Sequence, residues 1–174
     1  SPAMDDRRSF SVLASFRLDG DTAIVTGGGK GLGRIACLAL AEAGAKIAVL
    51  DLDEATAQQT VGEISEAGGE ARAWVCDVTD EGAVIETFAA IADAFGSIDI
   101  LVNNAGIARR DPTESMPTET WDLVIAINQT AVFTCSREAG KHMLAKGKGA
   151  IINIASIMGL SGGGFYPNLP YHAS

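Results

Sequence analysis

A glycine-rich segment, Thr26 to Gly33, is the part of the chain whose residue types point most directly to chemistry. It reads T-G-G-G-K-G-L-G and lies between an apolar, β-branched run, Thr22 to Val25, and a run rich in alanine and leucine, Arg34 to Ala43. These runs are typical of a buried strand and of a helix. Glycine lets the backbone turn tightly, and the free N–H groups and positive dipole end of the following helix attract an anion. The sequence therefore predicts a cradle for a phosphate group.

The spacing of the glycines leaves a second interpretation open. Gly27, Gly31 and Gly33 follow a G-x-x-x-G-x-G pattern, which departs from the G-x-G-x-x-G of many dinucleotide-binding turns. Loops also collect glycine for turn geometry alone. The residues that follow the other predicted strands decide between the two interpretations.

Composition limits the classes of protein and partner. The 174 residues suffice for one domain with a core, and 47% of them are hydrophobic, which favours a globular fold over disorder. A net charge of −9, from 13 basic and 22 acidic residues, argues against nucleic acid as a partner. The compact basic pairs, Arg7-Arg8 and Arg109-Arg110, are interpreted as solvated surface. No apolar run is long enough to predict a membrane span.

The cysteines favour a reducing compartment. Cys37, Cys76 and Cys135 are scattered in apolar surroundings, so we expect buried, reduced thiols and a cytoplasmic protein. The sequence has no C-x-x-C pair and no His/Cys cluster, and no metal site is predicted.

Short β-rich runs alternate with helical runs along the chain. Short apolar strands are typical of a sheet buried on both faces, and their alternation with helices implies right-handed crossovers and parallel strands. The predicted fold class is α/β, a Rossmann-type doubly wound parallel sheet with helices on both faces. The later strands are predicted at Ile47–Leu50, Ala71–Cys76, Ile98–Val102 and Ala150–Ile154, and the later helices at Glu54–Ala67, from an N-cap at Thr79 to Gly96, and as one long helix over Trp121–Lys146.

Ligands of such sheets bind outside the carboxyl ends of the strands, so the residues that follow each strand are informative. Asp51 follows the second strand, where a carboxylate accepts hydrogen bonds from both hydroxyls of an adenosine ribose and repels a 2′-phosphate. Lys30 favours NADP instead, since a cation near the ribose can hold a 2′-phosphate. Because the Asp51 carboxylate competes for the position of that phosphate, NAD is predicted, with NADP possible. The alternative is that Asp51 is a polar loop residue.

Polar residues follow the later strands as well. Asp77-Val78 follows the third strand, where the aspartate can accept from an adenine amino group and the valine can cover the ring. The alternative, a turn or N-cap role, is favoured for Asp77 taken alone. Asn103-Asn104-Ala105-Gly106 follows the fourth strand and suits a tight backbone beside a ligand, with side-chain bridges to neighbouring strands. Ser156 follows the fifth strand, and Tyr171 lies near the last residue.

Taken together, these motifs resemble the short-chain dehydrogenase/reductases. The resemblance runs from about Leu18 to Ser174 and is carried by six motifs in order. They are T-G-x-x-x-G-x-G at Thr26 to Gly33, Asp77-Val78, Asn103-Asn104-Ala105-Gly106, Asn128, Ser156 and Tyr171. The chain is most similar to the branch that acts on polyols, sugar acids and similar secondary alcohols, including gluconate-type dehydrogenases. The 3-oxoacyl-carrier-protein reductases look almost as similar.

The resemblance implies an NAD- or NADP-dependent oxidoreductase that moves a hydride between a nicotinamide and a secondary alcohol or ketone. Tyr171 matches the tyrosine of the family pattern Y-x-A/S-S-K and would exchange the proton. Ser156 would hydrogen-bond the substrate oxygen, and Asn128 would hold a water in a proton relay. Tyr166 competes with Tyr171, but Pro170 stands where its lysine would be. The implied cofactor-binding residues are Gly27, Gly29, Lys30, Gly31, Leu32, Gly33, Asp51, Leu52, Asp77, Val78, Asn104, Ala105, Gly106 and Tyr171.

The chain departs from the family at its end. It stops at Ser174, one residue before the lysine that the family has four residues after the tyrosine, and before the family's last strands. We expect residues 1–17 to be an N-terminal extension, with Ser1-Pro2-Ala3 before Met4 left from cloning. Residues 18–174 are expected to be a truncated dinucleotide-binding domain. The full-length protein is expected to be a homodimer or homotetramer that binds a small-molecule substrate, with no nucleic acid or membrane partner.

Two alternatives come from other classes. A non-catalytic nucleotide-binding domain would keep the glycine turn and Asp51 but would need neither Ser156 nor Tyr171. The joint presence of those two residues counts against it, and the missing lysine counts for it. A purely structural α/β domain would need no Asn-Asn-Ala-Gly after a strand.

Overall fold

The apolar runs of the sequence form one parallel sheet. The structure, a computed structural model, describes residues 12–156, 158–161 and 169–174. Its strands are β1 (Thr22–Thr26), β2 (Lys46–Asp51), β3 (Ala71–Val75), β4 (Ile100–Asn103) and β5 (Ala150–Asn153). They run parallel in the order β3-β2-β1-β4-β5. Because the chain moves outward from β1 to β3 and then crosses to β4, the switch point where such sheets bind ligands lies between β1 and β4.

Helices precede, connect and follow these strands. They are α1 (Val12–Ser15), α2 (Gly31–Glu42), α3 (Glu54–Glu66), α4 (Glu81–Phe95), α5 (Thr118–Ile125), α6 (Ala131–Lys146), α7 (Met158–Ser161) and α8 (Leu169–Ala173). A short 3₁₀ helix spans Thr113–Ser115, and a π-helical turn at Ala126–Thr130 joins α5 to α6. None of the helices in the described ranges is both long and apolar enough to cross a membrane.

Alternate residues of the strands contribute to two apolar layers, one on each face of the sheet. On β1, Ile24 belongs to one layer and Ala23 and Val25 belong to the other, as the two-residue period of a strand requires. Helices α4 and α6 complete the first layer, and α2 and α3 complete the second. The predicted doubly wound α/β fold is therefore confirmed, and the three cysteines are buried and free as expected.

The starts of several elements differ from the sequence prediction, those of α4, the long helix and β4 most informatively. Helix α4 has Asp80 rather than Thr79 as its N-cap, and the Asp80 carboxylate accepts from the N–H of Ala83. Thr79 instead donates its N–H and its hydroxyl to the Asp77 carboxylate. The long helix begins at Thr118, directly after Pro117, and not at Trp121. Strand β4 begins at Ile100, two residues later than predicted, although the backbone of Asp99 still donates to the carbonyl oxygen of Thr22 and accepts from the N–H of Ala150.

Candidate functional site

The glycine turn between β1 and α2 has the backbone of a phosphate cradle. Gly27 and Gly31 have φ angles of +62° and +56°, in the left-handed region that favours glycine. Gly33 is buried against the turn, where an added Cβ would overlap the carbonyl oxygen of Gly27. Helix α2 starts at Gly31, and its N-cap residue, Lys30, provides no side-chain acceptor. The first N–H groups of α2 therefore have no capping side chain, which leaves them available to an anion.

A buried thiol supports the turn from below. Cys37 lies in α2 with its Sγ 3.9 Å from the carbonyl oxygen of Gly28. Burial raises the pKa of the Cys37 thiol to about 12, so the group is neutral beneath the turn. The neutral thiol of Cys37 thus packs against the glycine turn and adds no charge to it.

Asp51 joins the end of β2 to the glycine turn. One carboxylate oxygen accepts from the N–H of Gly29 at 2.9 Å, and the other accepts from the N–H of Asp53 at 3.1 Å. Gly29 has no room for a side chain, because a Cβ would overlap Thr56. The half-buried carboxylate therefore lies beside the turn, where the sequence prediction places the ribose of a nucleotide. Leu52, the next residue, is exposed.

The asparagines after β4 bridge the strands on either side, as predicted. Asn104 Nδ2 donates to the carbonyl oxygens of Thr26 and Gly27, each at 3.1 Å. The Thr26 hydroxyl in turn accepts from the N–H groups of Asn104 and Ala105, each at 3.0 Å. These bonds fix the loop that follows β4 against the end of β1.

A second bridge, from Asn103, also agrees with the predicted side-chain bridges, although its partners were not predicted. The buried Asn103 donates from Nδ2 to Asn153 Oδ1 on β5 at 2.9 Å and to Ser136 Oγ on α6 at 3.0 Å. Asn103 and Asn153 occupy paired positions in the β4–β5 register. Two asparagines at the ends of neighbouring parallel strands were a signal that could have indicated this bridge.

Asn128 lies in the π-helical turn and faces the same loop. Its Oδ1 accepts from the N–H of Ile107 at 2.9 Å, and its Nδ2 donates to the carbonyl oxygen of Ile107 at 2.8 Å. The second Nδ2 hydrogen is directed to Ser174 Oγ at 3.1 Å. The long helix is thereby tied to the loop after β4 and to the last residue of the chain.

A cavity of about 590 Å³ lies beyond the carboxyl ends of β1, β4 and β5. It brings together seven of the predicted site residues: Leu32, Asn104, Ala105, Gly106, Asn128, Ser156 and Tyr171. Ser156 Oγ accepts from the N–H of Met158 at 3.2 Å, and its hydroxyl hydrogen has no acceptor among the described residues, so it can be donated to a ligand in the cavity. The exposed side chain of Leu32, in the first turn of α2, connects this cavity to the phosphate cradle.

The other predicted residues lie outside this cavity. They lie in the glycine turn or at the ends of β2 and β3, and are Gly27, Gly29, Lys30, Gly31, Gly33, Asp51, Leu52, Asp77 and Val78. Asp77 Oδ1 caps the turn at Thr79, in agreement with the turn alternative, and its part in adenine binding stays a prediction. Tyr166, the competing tyrosine, falls outside the described residues.

Size alone does not identify the site. A larger cavity, of about 700 Å³, lies at the opposite edge of the sheet, next to Gly44, Lys46 and Glu70. These residues precede or begin strands, so that cavity lies at the amino ends, away from the switch point. No cluster of potential metal ligands occurs among the described residues.

Comparison with known proteins defines the class. The short chain dehydrogenase family model matches residues 21–174, and the chain belongs to that family. D-threitol dehydrogenase from Mycolicibacterium smegmatis is 41% identical over 153 residues, which are 88% of this chain and 59% of that protein.

Solved structures agree with the sequence comparison. The gluconate 5-dehydrogenase from Burkholderia cenocepacia J2315, in complex with NADP and tartrate, has a TM-score of 0.85 at 36% identity, covering 94% of this chain and 63% of that one. NAD⁺-bound xylitol dehydrogenase has a TM-score of 0.84 at 35% identity, covering 89% of this chain and 59% of that one. The chain thus spans less than two thirds of these relatives.

Proposed function

We propose that the protein to which this chain belongs is an NAD(P)-dependent oxidoreductase that interconverts a secondary alcohol and a ketone of the polyol or sugar-acid type. The observation that carries the proposal is the cavity that joins Ser156 and Tyr171 to the first turn of α2 through Leu32. A hydroxyl donor and a phenol in one cavity next to a phosphate cradle suit hydride transfer beside a bound dinucleotide. The named activities of the threitol, xylitol and gluconate dehydrogenases support the substrate class.

The residues of the cradle fit a dinucleotide. Gly29 and Gly33 pack against Thr56 and Gly27 with no room for side chains, which keeps the turn tight, and the start of α2 has no capping side chain. The pyrophosphate would be held by the turn Gly27–Gly33, with the adenosine ribose at Asp51 and the adenine near Asp77-Val78. When bound, a nicotinamide supplies or accepts the hydride. Asp51 favours NAD over NADP, while relatives with NAD and with NADP are both known.

The acid/base group in the proposal is Tyr171. A phenol has an ordinary pKa of about 10, so it is a weak base at neutral pH unless a nearby cation stabilises the phenolate. Ser156 donates its hydroxyl to the substrate oxygen, and Tyr171 takes the proton from that oxygen during oxidation. Asn128 belongs to the proton relay, and its bonds to Ile107 also hold the loop that walls the cavity.

The described residues give less support to the two alternative functions. A non-catalytic nucleotide-binding domain has no use for a serine and a tyrosine that line one cavity beside the cradle. No feature of the described residues favours a 3-oxoacyl-carrier-protein reductase, whose substrate is attached to a protein.

The test uses the full-length protein that contains this chain. Calorimetric titration with NAD and NADP measures cofactor binding, and absorbance of the reduced nicotinamide measures turnover of a panel of polyols and sugar acids. We expect Tyr171→Phe and Ser156→Ala to lower kcat roughly 10²- to 10⁴-fold, because each removes a proton-transfer or polarising group. The NAD Kd should be unchanged in Ser156→Ala, since Ser156 is not among the residues assigned to the cofactor. Binding of neither nucleotide would contradict the proposal, and tighter binding of NADP would contradict the preference assigned to Asp51.

A further inference from the structure

A buried hydroxyl of α3 bonds to the glycine turn. Thr60 is the polar residue among the buried residues of that helix, and it has no exposed surface. A helical threonine commonly bonds to the carbonyl oxygen four residues back, here that of Thr56 at 3.3 Å. Thr60 Oγ1 is nearer, at 3.0 Å, to the carbonyl oxygen of Gly28, and it lies 3.4 Å from that of Gly29. A hydroxyl has one hydrogen to donate, so the shortest of these bonds joins α3 to the turn.

The peptide group between Gly28 and Gly29 is thereby held at both of its polar ends. Its carbonyl oxygen accepts from Thr60, and its N–H donates to Asp51 Oδ2 at 2.9 Å. A glycine on each side leaves this group unusually free to rotate, so hydrogen bonds must set its direction. Because a peptide group is planar and rigid, the bond to its carbonyl oxygen also aims its N–H. Thr60 therefore acts on the Asp51 carboxylate through this peptide.

We infer that Thr60 is a positioning residue for Asp51 and so for the preference between NAD and NADP. The inference rests on the proposed function, in which the Asp51 carboxylate accepts from the adenosine ribose and repels a 2′-phosphate. Both effects depend on where the carboxylate oxygens lie. Without the Thr60 hydroxyl the peptide can rotate, and the carboxylate keeps its bond from the N–H of Asp53 but loses the one from Gly29. A carboxylate held by one bond instead of two turns more freely and meets the ribose less often in the productive orientation.

The experiment compares two variants of Thr60 in the full-length protein that contains this chain. Thr60→Val keeps the branched shape and removes the hydroxyl, whereas Thr60→Ser keeps the hydroxyl. Calorimetric titration gives the Kd of NAD and of NADP. We expect Thr60→Val to lower the ratio of the NADP Kd to the NAD Kd roughly 3- to 10-fold, the range of one neutral hydrogen bond, and Thr60→Ser to keep it within about twofold.

Two controls separate positioning from general damage to the fold. In an Asp51→Asn background, Thr60→Val should change the ratio by less than about twofold, because the charge to be positioned is gone. Thr134→Val removes a buried hydroxyl from α6, on the other face of the sheet, and should leave the ratio unchanged. Equal losses of NAD and NADP affinity in Thr60→Val, the same change of ratio without the Asp51 charge, or an equal change in Thr134→Val would each overturn the inference.

A measurement without nucleotide tests the positioning itself. The amide hydrogen of Gly29 exchanges with deuterium only when its bond to Asp51 opens. That exchange should be roughly tenfold faster in Thr60→Val than in Thr60→Ser, while the amides of β4 exchange equally in the two variants. Equal exchange of the Gly29 amide in the two variants, or an acceleration shared by β4, would contradict the role of Thr60.

Failure of the proposed function would be seen separately. If nucleotide binds but no member of the substrate panel is turned over, the dehydrogenase assignment is contradicted, and the Kd ratios still test Thr60. If neither nucleotide binds, that assignment and the part of Thr60 in nucleotide preference are both overturned, and exchange of the Gly29 amide decides whether Thr60 positions the turn. Binding of nucleotide with an unchanged Kd ratio in Thr60→Val overturns the inference alone.

Discussion

Gly33 shows how one missing side chain determines the geometry of the cradle. The space where its Cβ would lie is filled by the Gly27 carbonyl oxygen and by Asn104 Nδ2, so the start of α2 packs directly on the turn. The turn, the helix and the loop after β4 meet at this position. Any side chain here must move at least one of the three.

Gly33→Ala is therefore expected to reduce nucleotide affinity at least tenfold and to destabilise the fold by about 1–3 kcal/mol, the usual cost of overpacking. Calorimetric titration with NAD and urea unfolding measure the two effects. The matched control is Gly62→Ala in α3, where an added Cβ meets nothing within 4 Å. Replacing a glycine inside a helix should stabilise the protein by up to about 1 kcal/mol and leave NAD binding unchanged. Equal NAD affinities in the two variants would contradict this account of the turn.

Asp51 provides the test of cofactor preference. Asp51→Asn removes the charge and keeps one oxygen that can accept from the N–H of Gly29, while the bond from the N–H of Asp53 to the other oxygen is lost. Because repulsion of a 2′-phosphate is then lost, the ratio of the NADP Kd to the NAD Kd should fall roughly 10- to 100-fold. Asp53→Asn is the control, since asparagine caps a helix as well as aspartate does and the same charge is lost two residues away. The preference is not due to Asp51 if both variants shift the ratio equally.

At the scale of elements, buried polar groups fix the amino ends of the strands. The Asp99 carboxylate, buried before β4, accepts from the N–H of Thr22 at 2.9 Å, from Ser97 Oγ at 2.6 Å and from Lys146 Nζ at 2.6 Å. Burial raises the pKa of Asp99, but the bonds from Lys146, Ser97 and Thr22 lower it by more, so the net pKa is below its ordinary value. One carboxylate thus ties β1, β4 and α6 together.

Asp99→Asn is expected to destabilise the protein by about 1–3 kcal/mol, because the charge-assisted bonds are lost. A group with a lowered native pKa stabilises the fold above its unfolded-state pKa and loses that contribution as the pH falls through the native pKa. The unmodified protein should therefore lose more stability than Asp99→Asn between pH 6 and the acid range, measured by urea unfolding. The comparison variant is Asp21→Asn, which breaks an ion pair with the mostly exposed Lys148. That pair is expected to contribute less than about 1 kcal/mol.

How far the sequence predicts an element depends on whether its cause is local. The strands and helices were predictable because apolar runs and their periods are local. The N-cap of α4 was missed because Thr79 and Asp80 are both good caps, and Asp77 binds Thr79. The π-helical turn was missed because Asn128 is held there by Ile107, which is distant in sequence. The Asn103-Asn104 pair predicted bridges to neighbouring strands, but the partners of Asn103 were missed because Ser136 and Asn153 are distant from it in sequence.

At the scale of the whole molecule, strand β5 forms one edge of the sheet. Strand β5 is exposed along its length, with Ile151 and Ile152 at 41% and 45%. Exposed apolar strand edges are normally covered by further structure. The relatives are longer than this chain, so a covering segment in the full-length protein is our expectation.

A polypeptide of these 174 residues alone is expected to bind NAD but to show negligible dehydrogenase turnover. All residues assigned to the cradle lie within this polypeptide, whereas the lysine that the family resemblance implies four residues after Tyr171 would lie beyond it. Absorbance of reduced nicotinamide, with the full-length protein as the positive control, measures the difference. Robust turnover by a polypeptide whose intact mass confirms this sequence would show that the lysine is not needed.

The bonds from Asn104 and Ala105 to the Thr26 hydroxyl have a consequence for motion. A backbone amide exchanges its hydrogen for deuterium only when its hydrogen bond opens, and loop amides usually do so quickly. The amides of Asn104 and Ala105 lie in a loop but are hydrogen-bonded to the end of β1. Their hydrogens should therefore exchange as slowly as those of the sheet, even without nucleotide. A dinucleotide would then meet a wall that is already ordered, and little conformational entropy would be lost there on binding.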